Sequence, residues 1–511
     1  MSILSVQIGQ CGNQLGAELF HTIYEDCFGH KVQLSSSERN FKEDSLSTFF
    51  HKNVADGGLE ARCVQVDMEE KVIARLRRTK RRITGWRYPD KNSCTAKCGS
   101  GNNWAYGFFV HAHNIVEKLE TPVQRQLERC DQLDGLLITM SLAGGTGSGV
   151  GTKLLLHLPD LLPKTPTLVQ LVWPYCRGEV SVQAYNTILT LGHLLSSHTA
   201  SELDGFLMQH NDVLHSICSS RLLASNPNCQ IGIDHLNSLA AYQLAGILQP
   251  FRSPGSASST GCHRRLSSVL SHLCGHPDYR LLRPRCLPYY GSECRAFATE
   301  TWAQLARHGR QMLLTGSASE DRLDWSTQSS GVDAASRFRR NRLPLLGCFA
   351  VLRGQDAQEH VQQPASFAHE LTRDLLVSTS VSCPPTDASF IHGHDRPFLG
   401  YPRSLFVVSN GGGSRLGEDI LRGGTLDFAS TGDPAASLNY AISRAWGMFA
   451  SKAYLHQYER YGLTSELLMD CFANIRLIND AMDRKTDLDP RIPTVWEVRR
   501  EEFCGLVVHV T

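Results

Sequence analysis

Ser141-Leu142-Ala143-Gly144-Gly145-Thr146-Gly147-Ser148-Gly149-Val150-Gly151-Thr152 is the stretch that decides the fold. The apolar run Leu136-Leu137-Ile138-Thr139-Met140 leads into it, and Thr152-Lys153-Leu154-Leu155-Leu156 reads as a helix behind it. Four glycines within six residues let a backbone approach a ligand closely and turn its N–H groups inward. The start of the following helix adds unpaired N–H groups and a partial positive charge. Strand, glycine loop and helix start together make an anion site, most simply one for phosphate.

Two commoner phosphate loops fail on spacing. A P-loop ends in Gly-Lys-Ser/Thr, whereas here Lys153 follows Thr152. A dinucleotide fingerprint needs G-x-G-x-x-G, and Gly145, Gly147, Gly149 and Gly151 alternate instead. A flexible glycine linker is the bland alternative, but linkers are not normally set between a buried strand and a helix.

Working outward, the chain of 511 residues has room for two to four domains, or for one large α/β body with additions. Hydrophobic residues make up 41% and charged residues 20%, the balance of a soluble globular protein. A net charge of +1 argues against nucleic acid as a partner. No apolar run reaches the roughly 18 residues that span a bilayer, so no membrane partner is expected. The start of the chain lacks the basic region of a cleaved signal peptide. The 17 cysteines are scattered and odd in number, as expected of reduced thiols in the cytosol. Cys94 and Cys98 have C-x-x-x-C spacing, read as two free thiols in a loop or as half of a zinc site.

Residues 3–8 read as a strand covered on both faces, and a helix follows from Gly9 to about Phe28. Residues 29–60 read as a polar, irregular surface excursion. Residues 62–68 read as a second strand, followed by a short helix carrying Arg75, Arg77, Arg78, Lys80, Arg81 and Arg82. That basic run is either a solvated helix face or a nuclear-localisation patch. Further strands are expected at 166–173, 345–352 and 405–408, and helices at 185–197, 235–248 and 438–461. Residues 253–260, 315–342 and 410–434 read as loops or insertions. The alternation to about residue 250 predicts an α/β fold with a doubly wound parallel sheet. Ligands in such sheets sit at the carboxyl ends of the strands, where loops 9–14, 67–69 and 141–149 lie.

Taken together, these loops resemble the nucleotide loops of the tubulin family. The resemblance is carried by Gly9-Gln10-Cys11-Gly12-Asn13-Gln14, Val66-Asp67-Met68-Glu69, Gly99-Ser100-Gly101-Asn102-Asn103-Trp104-Ala105 and residues 141–149. Met448-Phe449, Lys452-Ala453, His456 and Tyr458 are similar to the family's C-terminal helices. Within the family, Trp173-Pro174-Tyr175, Arg310-Gln311-Met312-Leu313 and residues 448–454 look most like the delta branch. The lack of a Glu-rich tail agrees with that branch.

The resemblance implies a tubulin/FtsZ-like, GTP-binding N-terminal domain with GTP or GDP and Mg²⁺ as cofactors. Gln10 and Cys11 would meet the phosphates and the base side of the nucleotide. Gly101 and Asn102 would serve the γ-phosphate region. Gly144, Gly145, Thr146 and Gly147 would wrap the α- and β-phosphates, with a hydroxyl from Ser141. Asp67 or Glu69 would act through Mg²⁺, which prefers oxygen ligands. Glu179 falls where the family places a ribose-contacting acid. Asn211 and Asn237 fall where paired amides read the guanine edge. Three positions depart from the pattern. Ile233 replaces the aromatic that stacks on guanine. His263, Arg265 and Ser268 stand where alpha-tubulin carries the acid that completes hydrolysis on a neighbour. Residues 288–297 form a shortened lateral-contact loop.

The domain layout expected is a nucleotide-binding domain (1–230), a core helix (231–250) and an intermediate α/β domain (251–410). A glycine-rich insertion (411–434), a helical region (435–487) and an unassigned tail (488–511) follow. The function implied is that of a GTP-binding delta-type tubulin of centrioles and basal bodies, supporting triplet microtubules and cilium assembly. Its implied partners are other tubulins and centriolar or microtubule proteins. Two alternatives stand beside it: a non-polymerising regulatory subunit, and a GTPase completed by a partner subunit.

Overall fold

The computed structural model describes residues 2–29, 36–53, 56–83, 85–176, 178, 180–196, 203–223, 230–251, 266–276, 278–288, 300–320, 345–362, 367, 370–371, 390–411 and 432–483. In chain order the N-terminal half runs β1 (Ser2–Ile8), α1 (Gly9–Phe28), α2 (Ser36–Phe49), β2 (Phe50–Lys52), β3 (Leu59–Ala61), β4 (Cys63–Asp67) and α3 (Glu70–Ile83). It continues with β5 (Trp86–Arg87), β6 (Ser93–Thr95), α4 (Ala112–Leu127), β7 (Leu133–Ser141), α5 (Gly151–Leu161), β8 (Thr167–Trp173) and α6 (Gln183–Leu194). β9 (Gly205–His210), α7 (Asn211–Leu223) and the core helix α8 (Ile233–Leu248) follow. Beyond them come α9 (Leu266–Leu273), β10 (Leu281–Leu287), α10 (Trp302–Thr315), β11 (Leu345–Gly354), α11 (Ala357–Gln362), β12 (Ile391–His394) and β13 (Arg403–Gly411). The last three helices are α12 (Pro434–Ala450), α13 (Leu455–Glu459) and α14 (Ser465–Asp483).

Ten strands form one sheet in the order β12-β11-β13-β10-β9-β8-β7-β1-β4-β6. Every pairing is parallel except those of β13, which runs antiparallel to β10 and β11. The chain starts at β1, goes to β4 and β6 on one side, then returns to β7 on the other. That reversal opens a crevice at the carboxyl ends of β4, β1 and β7, the usual ligand position of a doubly wound sheet.

Helices cover both faces. Along β1, Ile3 packs with Leu15, Leu19 and α8, while Leu4, Val6 and Ile8 pack with α4, α5 and α6 on the opposite face. Both faces are therefore buried, although Ser5 and Gln7 share the face of Ile3, and each fully buried Leu, Val or Ile contributes roughly 1.5–3 kcal/mol. α8 is buried from Leu239 through Leu248 without a break, as expected of a helix inside the core. Its C-terminus is closed by Arg353, only 1% exposed, whose guanidinium donates to the carbonyls of Gly246 (2.7 Å), Gln249 (2.7 Å) and Pro250 (3.1 Å).

Two sequence expectations are corrected. Residues 36–49 form a helix and residues 50–52 and 59–61 form strands, so this part of 29–60 is ordered structure rather than an irregular excursion. The reason is a sparse apolar stripe, Phe41 and Phe49, which packs inward although the segment is polar overall. The single helix expected at 438–461 is two helices, because Lys452 (φ 53°) and Tyr454 (φ 60°) adopt left-handed backbone between them. The loop expected at 253–260 and the tail 488–511 lie outside the described residues, as do most of 315–342 and of the 411–434 insertion. Among the described residues no helix is long and apolar enough to cross a membrane.

Candidate functional site

Two helices start in the crevice without a capping side chain. α1 begins at Gly9 directly after β1, with Ile8 giving no cap. The glycine loop turns into a π-helical turn, Thr146–Val150, that continues as α5, and Gly145 before it offers no cap either. Free N–H groups at helix starts suit an anion. A second π-helical turn, Tyr106–His111, follows the 99–105 loop and leads into α4. Such turns are rare and recur at functional sites.

The glycines serve mainly to let these loops touch one another. A side chain on Gly107 would run into the Gly145 carbonyl, and one on Gly149 into the Trp104 carbonyl. A Cβ on Gly145 would lie 2.7 Å from the Asn103 nitrogen, and one on Gly9 (φ 74°) 2.9 Å from the Gly147 nitrogen. None of Gly144, Gly145, Gly147, Gly149 and Gly151 has a positive φ. Close approach to a ligand, the reason the sequence suggests for this run, therefore accounts for fewer glycines than expected. Gly101 faces open space, and Gly144 meets only the Asn102 side chain, at 3.7 Å.

Side-chain amides hold the loops together. Asn186, wholly buried on α6, donates to the carbonyls of Asn102 (2.8 Å) and Ala143 (2.6 Å). Its oxygen accepts from the Trp104 N–H (3.1 Å) and the Tyr458 hydroxyl (2.7 Å). Asn13 donates to the carbonyls of Gly9 (2.9 Å) and Val66 (3.0 Å), fixing the start of α1 against the end of β4. Asn103 donates to the Gln457 carbonyl (3.0 Å), tying the 99–105 loop to α13. Ser100 Oγ lies 3.2 Å from both His111 Nδ1 and Thr146 Oγ1. The sequence alone assigns no role to Asn13, Ser100, Asn103, His111 or Asn186. A buried asparagine inside the apolar helix run at 183–194 is the one signal that could have exposed Asn186.

At the end of β4, Asp67 is 3% exposed. Its Oδ1 accepts from the Glu69 N–H (3.1 Å), and its buried Oδ2 has no hydrogen-bond partner among the described residues. Burial pushes its carboxyl up to about 6, with the Glu69 charge adding to the rise. Glu69 is partly exposed and pairs with Lys71 (2.8 Å), and its carboxylate borders Gly99. A buried carboxylate oxygen without a donor fits a hard cation. No cluster of three or more protein ligands occurs among the described residues, so phosphate and water would have to complete the shell, the usual habit of Mg²⁺.

Gln10 is exposed in the first turn of α1, and Cys11 is half-buried, its thiol pushed up to about 12 by burial and so kept neutral. Ser141 ends β7, with its Oγ against Gly147. Asn211 opens α7 at the carboxyl end of β9, and Asn237 is buried in the second turn of α8, which packs on α7. Ile233 is 55% exposed at the start of α8. Ser268 is exposed on α9. Glu179, His263, Arg265 and residues 289–297 lie outside the described residues. Cys94 lies in β6 rather than a loop, and its thiol donates to the Lys118 carbonyl (3.4 Å). A cleft of about 630 Å³ is lined by Trp173, Tyr175, Gln183 and Thr187 on one side and by Tyr440 and Arg444 of α12 on the other.

Comparison with known proteins shows the family. Residues 2–219 match the family model described as Tubulin/FtsZ family, GTPase domain. The chain is 33% identical to the human tubulin delta chain over 491 residues, covering 94% of this chain and 98% of the human one. It is 33% identical to the mouse tubulin delta chain over 485 residues, covering 93% and 97%. Similarity to the tubulin beta-1 chain of Chondrus crispus is 29% over 262 residues, half of this chain.

Proposed function

The chain belongs to the tubulin family, with a delta-type likeness along nearly its whole length, and from that premise we propose how its crevice works and where the protein acts. Its GTPase domain makes it a guanine-nucleotide-binding, cytoskeletal protein. The N–H groups at the starts of α1 and of the 146–150 turn receive the phosphates, with Gln10, Ser141, Gly144, Gly145, Thr146 and Gly147 lining them. Gly101 and Asn102 close over the terminal phosphate. Asn211 and Asn237 read the guanine edge, Cys11 borders the base side, and Glu179 takes the ribose. Asp67, with Glu69 beside it, holds Mg²⁺, which neutralises phosphate charge. The observation that carries this reading is the joining of four loops at the carboxyl ends of the strands, one of them holding the partnerless Asp67 oxygen.

With Ser268 where an acid would stand, the chain holds its nucleotide without completing hydrolysis on a neighbour. It serves as a subunit of centrioles and basal bodies, supporting triplet microtubules and cilia, and associates with another tubulin. A tagged full-length chain should concentrate at centrioles and basal bodies in ciliating cells. A uniform cytosolic signal would contradict the centriolar reading. Turnover by the isolated chain as fast as that of assembled microtubule tubulin would favour the enzymatic alternative instead.

A further inference from the structure

Ser100, 3% exposed, bridges the two phosphate loops through a hydroxyl chain: His111 Nδ1, Ser100 Oγ and Thr146 Oγ1, each step 3.2 Å. Each hydroxyl has one proton to give, so the chain can run in only two directions. If Nδ1 of His111 carries no proton, Ser100 donates to it and must accept from Thr146. The Thr146 hydroxyl then has only lone pairs left for a ligand, which repel an anion. If Nδ1 carries the proton, it donates to Ser100, Ser100 donates to Thr146, and the Thr146 proton is free for a phosphate oxygen. We propose that Ser100 and His111 are positioning residues that turn the Thr146 hydroxyl from the α- and β-phosphates expected for it toward the 99–105 loop, and so favour the terminal phosphate of a guanosine triphosphate. This inference rests on the reading of the crevice as a guanine-nucleotide site.

Three features support it. The His111 ring is held by Tyr106, with ring centres 4.3 Å apart, at the end of a π-helical turn that grips the glycine loop. Burial holds the imidazole below its ordinary range, so at neutral pH the choice lies between two neutral tautomers. The same 99–105 loop that carries Ser100 carries Gly101 and Asn102, the residues proposed to close over the terminal phosphate.

The test compares affinities for GTP and GDP in the full chain and four variants: S100A, H111F, H111N and T146V. S100A and H111F should each lower the preference for GTP over GDP about three- to tenfold, the worth of one hydrogen bond. H111N should retain most of it, because its amide can still donate to Ser100 from the position of Nδ1. In a T146V background S100A should have no further effect on the ratio, since both act through one hydroxyl. An unchanged ratio in S100A and H111F, or an undiminished S100A effect on T146V, would overturn the proposal. Should S100A not fold, the contrast of H111F with H111N decides the matter, an equal ratio in the two counting against it. A native chain that takes up neither nucleotide would instead sink the nucleotide-site reading.

Discussion

Replacing Asn186 with alanine should loosen the nucleotide crevice, although Asn186 is not itself expected to contact the ligand. The side chain makes four hydrogen bonds, and their partners differ in what they can do once it is gone. The Trp104 N–H is wholly buried and would be left without an acceptor, at about 1–3 kcal/mol. The Tyr458 hydroxyl is also buried but already lies 3.5 Å from the Val182 carbonyl, which can take its proton at smaller cost. The carbonyls of Asn102 and Ala143 sit where water can reach them, so each loses only the net value of a bond, about 0.5–1.5 kcal/mol. The sum is about 2–6 kcal/mol, a large share of the 5–15 kcal/mol typical of folded proteins. Hydrogen exchange read by mass spectrometry should show faster exchange in peptides spanning 99–107 and 141–150, with α10 unchanged. Nucleotide retention should fall in parallel. Unchanged exchange in both loops, or equal loss of protection everywhere, would refute the reasoning.

Asp67→Asn should stabilise the nucleotide-free chain. Because the folded-state pKa is raised from 3.8 to about 6, the native state binds more protons than the unfolded one between those values, and stability falls as pH rises through that window. The gain at pH 7 is about 3 kcal/mol, read by urea melts at pH 4.5 and 7, together with a loss of Mg²⁺-dependent nucleotide affinity. A destabilised D67N would contradict the burial argument. Gly145→Ala and Gly144→Ala should behave oppositely. The first presses on Asn103 and should lower the melting temperature, whereas the second has room to fold and should weaken nucleotide binding by narrowing the crevice. Arg396→Met removes the guanidinium that pairs with buried Asp26 and with Glu38 (2.6 Å). It should cost about 3–5 kcal/mol, much of it recovered when Asp26 is made leucine as well. Equal stability of R396M and the native chain in urea would exclude that clamp.

Fold and loops were legible where the signal is local. The apolar run before the glycine loop, the helix start at Gly9 and the unbroken apolar stretch of α8 each lie within a short window. The site's internal wiring was not, because its partners are far apart in the chain. Asn186 acts on residues 43 and 84 positions away, and Asn103 on Gln457, 354 away. No spacing rule connects such residues until the sheet has brought their loops together. The 36–49 helix was hidden by polar composition, since only a sparse apolar stripe faces inward. The break after Ala450 carries no glycine or proline, and its left-handed residues are an exposed lysine and an exposed tyrosine, residue types that no local rule marks as a helix end. The glycine run reads as a loop with a helix from Thr152, whereas the helical turn begins at Thr146 inside it, because the contacts between loops that its glycines permit are invisible in one dimension.

The central claim is that the joined loops at 9–13, 67–69, 99–105 and 141–147 hold a guanine nucleotide. Acid extraction of the purified full-length chain, followed by chromatography of the released small molecules, tests it most directly. The expected result is close to one guanine nucleotide per chain, lost on stripping Mg²⁺ and regained on adding GTP with Mg²⁺. A chain that carries no nucleotide and takes up neither GTP nor GDP in the presence of Mg²⁺ would contradict it.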